Sequence, residues 1–173
     1  MNHEDRIKNW KLHNSQRGQF AFELYKKMVE NENVWLLTGD LGWPMFDPIK
    51  EDFPERFVNT GAAEQALLDI SCGLSLENKI PFVYSITPFL IYRPFETLRT
   101  YINYEKLNVK LIGGGRDDDY KHDGWSHDAS DVKKILDTLP NITQCYPESN
   151  EEVTDLMDLI TNEQKPYFVS LRR

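Results

Sequence analysis

The amino-acid sequence predicts an α/β fold in which a mostly parallel sheet of six strands carries helices on both faces. Six short runs are rich in β-branched and aromatic residues, as buried strands are. The stretches between them place apolar residues three and four positions apart, as amphipathic helices do. This alternation is typical of parallel strands that are joined by right-handed helical crossovers.

The predicted elements begin with a helical segment at residues 1–32, where FAFELYKKM at 20–28 has the clearest helical period. Residues 33–173 form the region of alternating strands and helices, and we find no internal repeat or linker, so a single domain is expected overall. The strands are predicted at 33–40, 56–61, 80–86, 108–115, 141–147 and 166–172. The helices between them are predicted around 66–74, 95–102, 132–136 and 153–160.

The composition argues against several classes of protein, among them nucleic-acid-binding, membrane and exported proteins. The 28 acidic and 20 basic residues give a net charge of −8, which opposes the phosphate contacts that nucleic-acid binding depends on. No run approaches the ~20 apolar residues that cross a bilayer, so we expect neither membrane insertion nor export. Cys72 and Cys145 lie far apart in apolar stretches, which favours reduced thiols over a disulfide or a metal cluster. We therefore expect a cytoplasmic protein.

Polar residues follow several of the predicted strands. Ligands of open α/β sheets bind beyond the carboxyl ends of the strands. At such positions the chain places Asp40 in TGDLGW, Glu64 in NTGAAEQ, and Phe89 in SITPFLIYRPFE. A long polar loop, GGGRDDDYKHDGWSHD at 113–128, follows the fourth strand, and long loops in compact domains are usually functional or disordered.

Each of these features also has a simpler explanation. Asp40 suits a turn or a helix cap, and a glutamate in the first turn of a helix is favoured by the helix dipole by ~0.3–1 kcal/mol. The aspartates at 117–119 are typical of a solvated charge run. His122 and His127 have no third ligand nearby in sequence, and the glycines at 113–115 lack the spacing of a phosphate-binding loop.

Taken together, the motifs are more specific. RFVNTGAAEQALLDISCGLS, KIPFVYSITPFLIYRPFETLR, LNVKLIGGG, HDGWSHDASDVKKILDTLPNIT and PYFVSLRR follow one another between residues 33 and 173. In this order they resemble the pyrimidine-binding domain of transketolases, in the form found in the smaller, C-terminal-half subunit of a split transketolase. The resemblance implies the pyrimidine-domain fold of thiamine-diphosphate enzymes. The β subunits of 2-oxo acid dehydrogenases and the deoxyxylulose phosphate synthases look more distant.

The resemblance implies roles for individual residues. Glu64 matches the catalytic glutamate that hydrogen-bonds the aminopyrimidine ring of thiamine diphosphate. Asp40 resembles an aspartate that lines the cofactor cleft, and Phe89 an aromatic residue that packs near the aminopyrimidine. Asp123 and His127 fall in a D-G-x-x-H element that looks like the donor-sugar site, where the histidine contacts hydroxyls beside the reacting carbonyl.

Two positions depart from the family pattern. Ile86 stands where an aromatic residue usually stacks on the pyrimidine, so apolar packing is retained and ring stacking is lost. Gly115 stands where a further sugar-binding histidine is expected, and Arg116 follows it. We expect altered donor recognition, in which Arg116 binds a phosphate, a carboxylate or a nucleotide-linked group of the substrate.

The resemblance also implies partners. In the family a second, homologous domain binds the diphosphate and its divalent metal, magnesium or calcium, and the motif that does so does not occur in these 173 residues. We therefore expect a separate diphosphate-binding transketolase subunit, self-association within a heterotetramer, and weak cofactor binding by this chain alone. The segment FLIYRPF is a candidate for the face that meets these partners.

The activity expected from the resemblance is transfer of a two-carbon ketol unit between sugar or sugar-phosphate substrates. Two alternatives remain open at this point. The chain could be a β-type subunit of a 2-oxo acid decarboxylase or dehydrogenase, or a non-catalytic, regulatory subunit that retains the fold.

Overall fold

The predicted sheet is present in the computed structural model, which describes residues 2–11, 13–42 and 44–173. Its strands are formed mainly by runs of β-branched, aromatic and other apolar residues. Within these residues the strands are β1 Val34–Thr38, β2 Phe57–Asn59, β3 Ile80–Ile86, β4 Lys110–Gly114, β5 Thr143–Cys145 and β6 Tyr167–Leu171. Each lies inside a predicted range. The sheet order is β2-β1-β3-β4-β6-β5, and every neighbouring pair is parallel. The sheet is therefore parallel throughout, rather than mostly parallel.

Helices connect these strands. Those of the described part are α1 His3–Lys8, α2 Gln16–Glu30, α3 Asp47–Asp52, α4 Glu64–Leu76, α5 Thr87–Tyr92, α6 Phe95–Thr97, α7 Val132–Leu136 and α8 Asn150–Asn162. A π-helical stretch, Leu98–Tyr104, continues α6. Serines cap the two most amphipathic helices: Ser15 accepts a hydrogen bond from the Gly18 amide at the start of α2, and Ser149 from the Glu152 amide at the start of α8.

Two hydrophobic clusters cover the two faces of the sheet, as predicted. One contains Phe20 and Leu24 of α2 with Tyr84 of β3, and the other contains Leu67 of α4 with Val83 of β3. Neighbouring residues of a strand point to opposite faces, so Tyr84 and Val83 separate the two clusters. The same alternation directs the next residue, Ser85, to the face that α4 covers. This places a polar group beneath the first turn of α4.

The N-terminal helix α2 is part of the first cluster, where Phe20, Leu24 and Tyr25 are buried with Val34 and Leu36 of β1. In the segment that was a candidate partner face, Leu90 and Ile91 are fully buried in the second cluster. Leu90 and Ile91 thus belong to the chain's own core, whereas Tyr92 is exposed, and the expectation that this segment meets a partner stays a prediction.

The cysteines are both free thiols, as predicted. Cys72 is buried, and this burial raises the pKa of its thiol to about 11, so the thiol stays protonated and unreactive at neutral pH. Among the helices of the described residues, none is both long and apolar enough to cross a membrane.

Candidate active site

The candidate site lies at the carboxyl ends of β1, β2 and β3. Asn59, the last residue of β2, shapes it, because its Oδ1 accepts hydrogen bonds from the Asp40 amide at 3.0 Å and from the Gly61 amide at 2.9 Å. One side chain thereby ties the turn after β1 to the turn after β2. Both turns use left-handed backbone, with φ of 59° at Asp40 and 69° at Gly61. The chain then enters α4 at Glu64.

Glu64 is buried at this position, with 2% of the residue exposed. Its Oε1 accepts a hydrogen bond from Ser85 Oγ at 3.1 Å, and its Oε2 accepts one from Arg93 Nη1 at 2.7 Å. A buried carboxylate is stable only when its charge is paired and its oxygens are hydrogen-bonded. Ser85 and Arg93 meet both requirements.

A line of contacts runs from Glu64 to the loop that follows β4. The Arg93 guanidinium lies over the Phe89 ring, 3.8 Å from its centroid. The edge of the Phe89 ring in turn meets the His127 ring, with 4.8 Å between the centroids. The structure thus brings three predicted site residues, Glu64, Phe89 and His127, into one connected cluster through Arg93.

Arg93 and Ser85 were missed by the sequence analysis. Arg93 follows Phe89 by four residues, one helical turn, which places the two side chains on the same face of α5 and its extension. Ser85 could have been found from the alternation along β3, because a polar residue between Tyr84 and Ile86 must point to the α4 face. Neither the spacing nor the alternation predicts that Arg93 and Ser85 contact Glu64.

Asp123 lies in the same loop as His127 but has a different environment. It is exposed, and its Oδ2 lies 3.4 Å from Nε2 of His122, which in turn is 3.0 Å from Nη1 of Arg173. Gly124, with φ of 93°, separates Asp123 from the turn Trp125–His127. Asp123 therefore lies on the solvent side of the loop, and its proposed sugar contact stays a prediction.

Gly115 explains one departure from the family pattern. Its φ is 86°, and a Cβ added there would lie 2.3 Å from the Tyr120 ring. Its carbonyl accepts a hydrogen bond from Thr87 Oγ1 at 2.6 Å, and its amide donates one to the Leu171 carbonyl at 3.0 Å. A histidine side chain cannot be accommodated in this turn. The loss of the expected sugar-binding histidine is thus coupled to the packing of Tyr120.

Arg116 has internal partners. It is buried, and it donates hydrogen bonds to Glu148 Oε1 at 2.6 Å, to the Pro147 carbonyl at 2.7 Å and to the Ser170 carbonyl. These contacts anchor the start of the loop to β6 and to the segment before α8. The expectation that Arg116 binds a charged group of the substrate stays a prediction.

Ile86 and Asp40 flank the cluster. Ile86 ends β3 and lines a cleft of about 330 Å³ with Tyr84, Arg17 and Tyr120. Asp40 is exposed, and its carboxylate lies 3.4 Å from Asn59 Nδ2. The structure records no contact between either side chain and Glu64, so their roles toward a cofactor stay predictions. Among the described residues, no group of three histidine, cysteine or acidic side chains could hold a metal ion.

Comparison with known proteins identifies the family of this chain. The family described as the pyrimidine-binding domain of transketolase matches residues 16–173. The putative transketolase C-terminal section of Methanocaldococcus jannaschii is 31% identical over 157 residues, which are 90% of this chain and 49% of that protein. One of the subunits of an apulose-4-phosphate transketolase from Actinobacillus succinogenes is 32% identical over 72% of this chain and 40% of its own length.

A solved structure agrees with the sequence relatives. The structure titled "Split gene transketolase, inactive beta4 tetramer" superimposes with a TM-score of 0.81 and 29% identity, covering 92% of this chain and 52% of that one. This chain therefore spans about half the length of the relatives it matches, or somewhat less. These relatives are named as transketolases, so the alternative of a 2-oxo acid dehydrogenase subunit is not favoured.

Proposed function

Because this chain belongs to the transketolase pyrimidine-binding domain family, we propose that it is the cofactor-activating subunit of a split transketolase. It would act only with a partner subunit, in transferring a two-carbon ketol unit between sugar-like substrates. Family membership implies thiamine diphosphate as the cofactor. The single observation that carries the proposal is a buried carboxylate, Glu64, at the carboxyl edge of a parallel sheet, where ligands of such sheets bind.

The residues around Glu64 fit an aminopyrimidine ring. Gly39 brings backbone close to the carboxylate, since a Cβ added there would be in van der Waals contact with Oε1, at 3.5 Å. Phe89 offers an aromatic surface next to Arg93, and Ser85 fixes one oxygen of the carboxylate. A polar ring with nitrogen atoms requires this combination of a hydrogen-bonding carboxyl group and an apolar wall. Glu64, Phe89, Ile86 and Asp40 are the residues that would hold it.

Glu64 would share a proton with a ring nitrogen and so select the tautomer of the aminopyrimidine. When bound, thiamine diphosphate supplies the nucleophilic carbon and the electron sink for carbon–carbon bond cleavage. The contribution of this chain is positional: Ser85 holds Oε1, and the burial of Glu64 excludes water from the proton that it shares.

His127 and Asp123 are proposed to recognise the donor sugar. The edge-to-face contact with Phe89 orients the His127 ring, and Ser126 Oγ lies 3.0 Å from its Nδ1. A histidine held in this way can donate or accept hydrogen bonds at hydroxyls beside the reacting carbonyl. The loop leaves Asp123 exposed, where it could accept a hydrogen bond from a neighbouring hydroxyl.

The partner is proposed to bind the diphosphate and its magnesium or calcium ion. A related split transketolase is described as a β4 tetramer that is inactive, which supports self-association of such chains and the need for an unlike subunit. A non-catalytic, regulatory role is the second candidate. It would leave unexplained the connected cluster of Glu64, Phe89 and His127.

The test is to co-express the chain with the diphosphate-binding subunit encoded beside it, purify the complex, and assay ketol transfer with thiamine diphosphate and magnesium. We expect Glu64→Ala to lower kcat by about 10²–10⁴-fold, the usual range for loss of a group that acts on a proton in the transition state. Glu77→Ala, an exposed glutamate at the other end of α4, is the matched control and should retain activity. Equal activity of the Glu64→Ala and unmutated complexes would exclude the proposed role.

A further inference from the structure

The groups that surround the Glu64 carboxylate differ in how far they are buried. Ser85 is fully buried in β3, and Gly39 is buried at the end of β1, so both are fixed by the sheet. Arg93 is different, because 46% of its side chain is exposed while its Nη1 lies 2.7 Å from Glu64 Oε2. The most exposed partner of the carboxylate is thus the arginine, which approaches it from solvent.

This contact conflicts with the role proposed for Glu64. The ion pair with Arg93 occupies Oε2, and Ser85 donates a hydrogen bond to Oε1. Sharing a proton with a ring nitrogen requires an accessible carboxyl oxygen. Oε2 becomes accessible only when the guanidinium moves away.

We propose that Arg93 is a positioning residue that covers Glu64 and occupies its Oε2 while the cofactor is absent, and that the aminopyrimidine displaces it. This inference rests on the proposed function. A half-exposed guanidinium returns to water with little change in its own solvation. The aminopyrimidine would take its place as the hydrogen-bond partner of Oε2, so that the buried carboxyl group is not left without a partner. Only molecules in which Arg93 has moved off Glu64 can bind the cofactor. The apparent dissociation constant is therefore the intrinsic constant divided by the fraction of such molecules.

The first experiment needs no cofactor. The isolated chain is treated with a carbodiimide and an amine, which modify accessible carboxyl groups, and the extent of modification at Glu64 is measured by mass spectrometry. We expect Arg93→Ala to raise the rate at Glu64 by at least fivefold, whereas Arg99→Ala, an exposed arginine in the π-helical stretch, should leave it unchanged. Arg93→Gln, which removes the charge and keeps a long polar side chain, should give an intermediate rate.

Circular dichroism and thermal unfolding establish that each variant is folded before its labelling is interpreted. If Arg93→Ala unfolds, Arg93→Gln decides the question, because its side chain can still contact Phe89. Unchanged labelling of Glu64 in a folded Arg93 variant would overturn the inference, since it would show that other groups cover the carboxylate.

The second experiment uses the complex with the partner subunit. Titration with thiamine diphosphate, followed by circular dichroism, should give a dissociation constant about 3–10-fold lower for Arg93→Ala than for the unmutated complex. Weaker cofactor binding, or a loss of kcat as large as that of Glu64→Ala, would mean that Arg93 acts in the loaded enzyme and would overturn the inference. If the unmutated complex neither binds the cofactor nor transfers a ketol unit, the proposed function fails, and the labelling experiment still decides whether Arg93 covers Glu64.

Discussion

At the scale of single residues, the environment of Glu64 exceeds what its place in the helix requires. The helix dipole favours a glutamate in the first turn of α4 and accounts for its position. It does not account for burial, which costs free energy unless specific partners are present. Ser85 and Arg93 are such partners, and both come from β3 and the segment after it. The fold therefore supplies this carboxylate with partners from two separate elements.

His127 provides a prediction at this scale. We expect His127→Ala in the reconstituted complex to lower kcat/KM for the donor sugar by about 10–100-fold, because one or two hydrogen bonds to the reacting substrate are lost. The dissociation constant of thiamine diphosphate should change by less than about threefold. His122→Ala, in the exposed part of the same loop, is the control. A larger effect on cofactor binding than on donor turnover would contradict the assignment to the sugar site.

Lys110 predicts a dependence of stability on pH. Its ammonium group is fully buried and donates hydrogen bonds to the carbonyls of Glu163 and Lys165 at 2.7 and 2.8 Å. Burial lowers the pKa of Lys110 to about 7, whereas a lysine in the unfolded chain has a pKa near 10.4. Between these values the folded chain binds fewer protons than the unfolded chain. Stability should therefore rise from pH 7 toward pH 10, by up to about 1.4 kcal/mol per pH unit.

Urea unfolding at pH 6.5, 8 and 9.5 measures this slope. Lys110→Met should remove most of the slope and also lower the stability, because the two carbonyls lose their donor. Lys133→Met, an exposed lysine of α7 paired with Asp137, should retain the slope. An unchanged slope in Lys110→Met would mean that other groups cause the pH dependence.

At the scale of elements, periodicity predicted the strands because each combines β-branched or aromatic residues with clear breaks. It failed for α5, because TPFLIY follows β3 without a polar break and is apolar on nearly every side. The predicted helix around 95–102 is real, but its second part is π-helical. In the helix predicted around 66–74, Leu67 is buried as expected, whereas Ile70 is 41% exposed. Helical spacing alone does not specify which residues another element covers.

Residues of the candidate site could be predicted from the sequence only where they belong to a recognisable motif. Glu64, Phe89 and His127 stand in motifs, so their cluster could be anticipated. The pairing of Glu64 with Arg93 joins residues 29 positions apart, and no local pattern specifies it. The partners of Arg116 were not predictable for the same reason, since its acceptors at Pro147 and Ser170 are brought to it by the fold.

Two glycines give a matched prediction about these elements. Gly115→Ala should lower the free energy of unfolding by about 1–3 kcal/mol, because the left-handed backbone and the contact with Tyr120 both oppose a side chain. Gly73 lies inside α4 with open space around it, so Gly73→Ala should raise the free energy of unfolding by about 0.5–1 kcal/mol. Urea unfolding of both variants checks the pair. Equal stability of Gly115→Ala and the unmutated chain would show that the turn rearranges without cost.

At the scale of the whole molecule, charge argues for a division of labour between two subunits. The chain carries a net charge of −8, and the described residues contain no cluster that could hold a divalent metal. A diphosphate is anionic and is usually held through a metal ion and backbone amides. The residues proposed to hold the aromatic end of thiamine diphosphate lie in this chain, and the site for its phosphates is proposed for the partner.

This division gives a prediction for the assembled enzyme. The isolated chain should bind thiamine diphosphate with a dissociation constant at least about 100-fold higher than the complex, because an ion-paired diphosphate contributes several kcal/mol of binding free energy. Isothermal titration calorimetry of the chain, the partner and their mixture, each with magnesium, measures the difference. Thiamine without its phosphates is the matched control ligand, and its affinity for the mixture should lie close to its affinity for the chain alone. Tight binding of thiamine diphosphate by the isolated chain would place the phosphate site here and contradict the division.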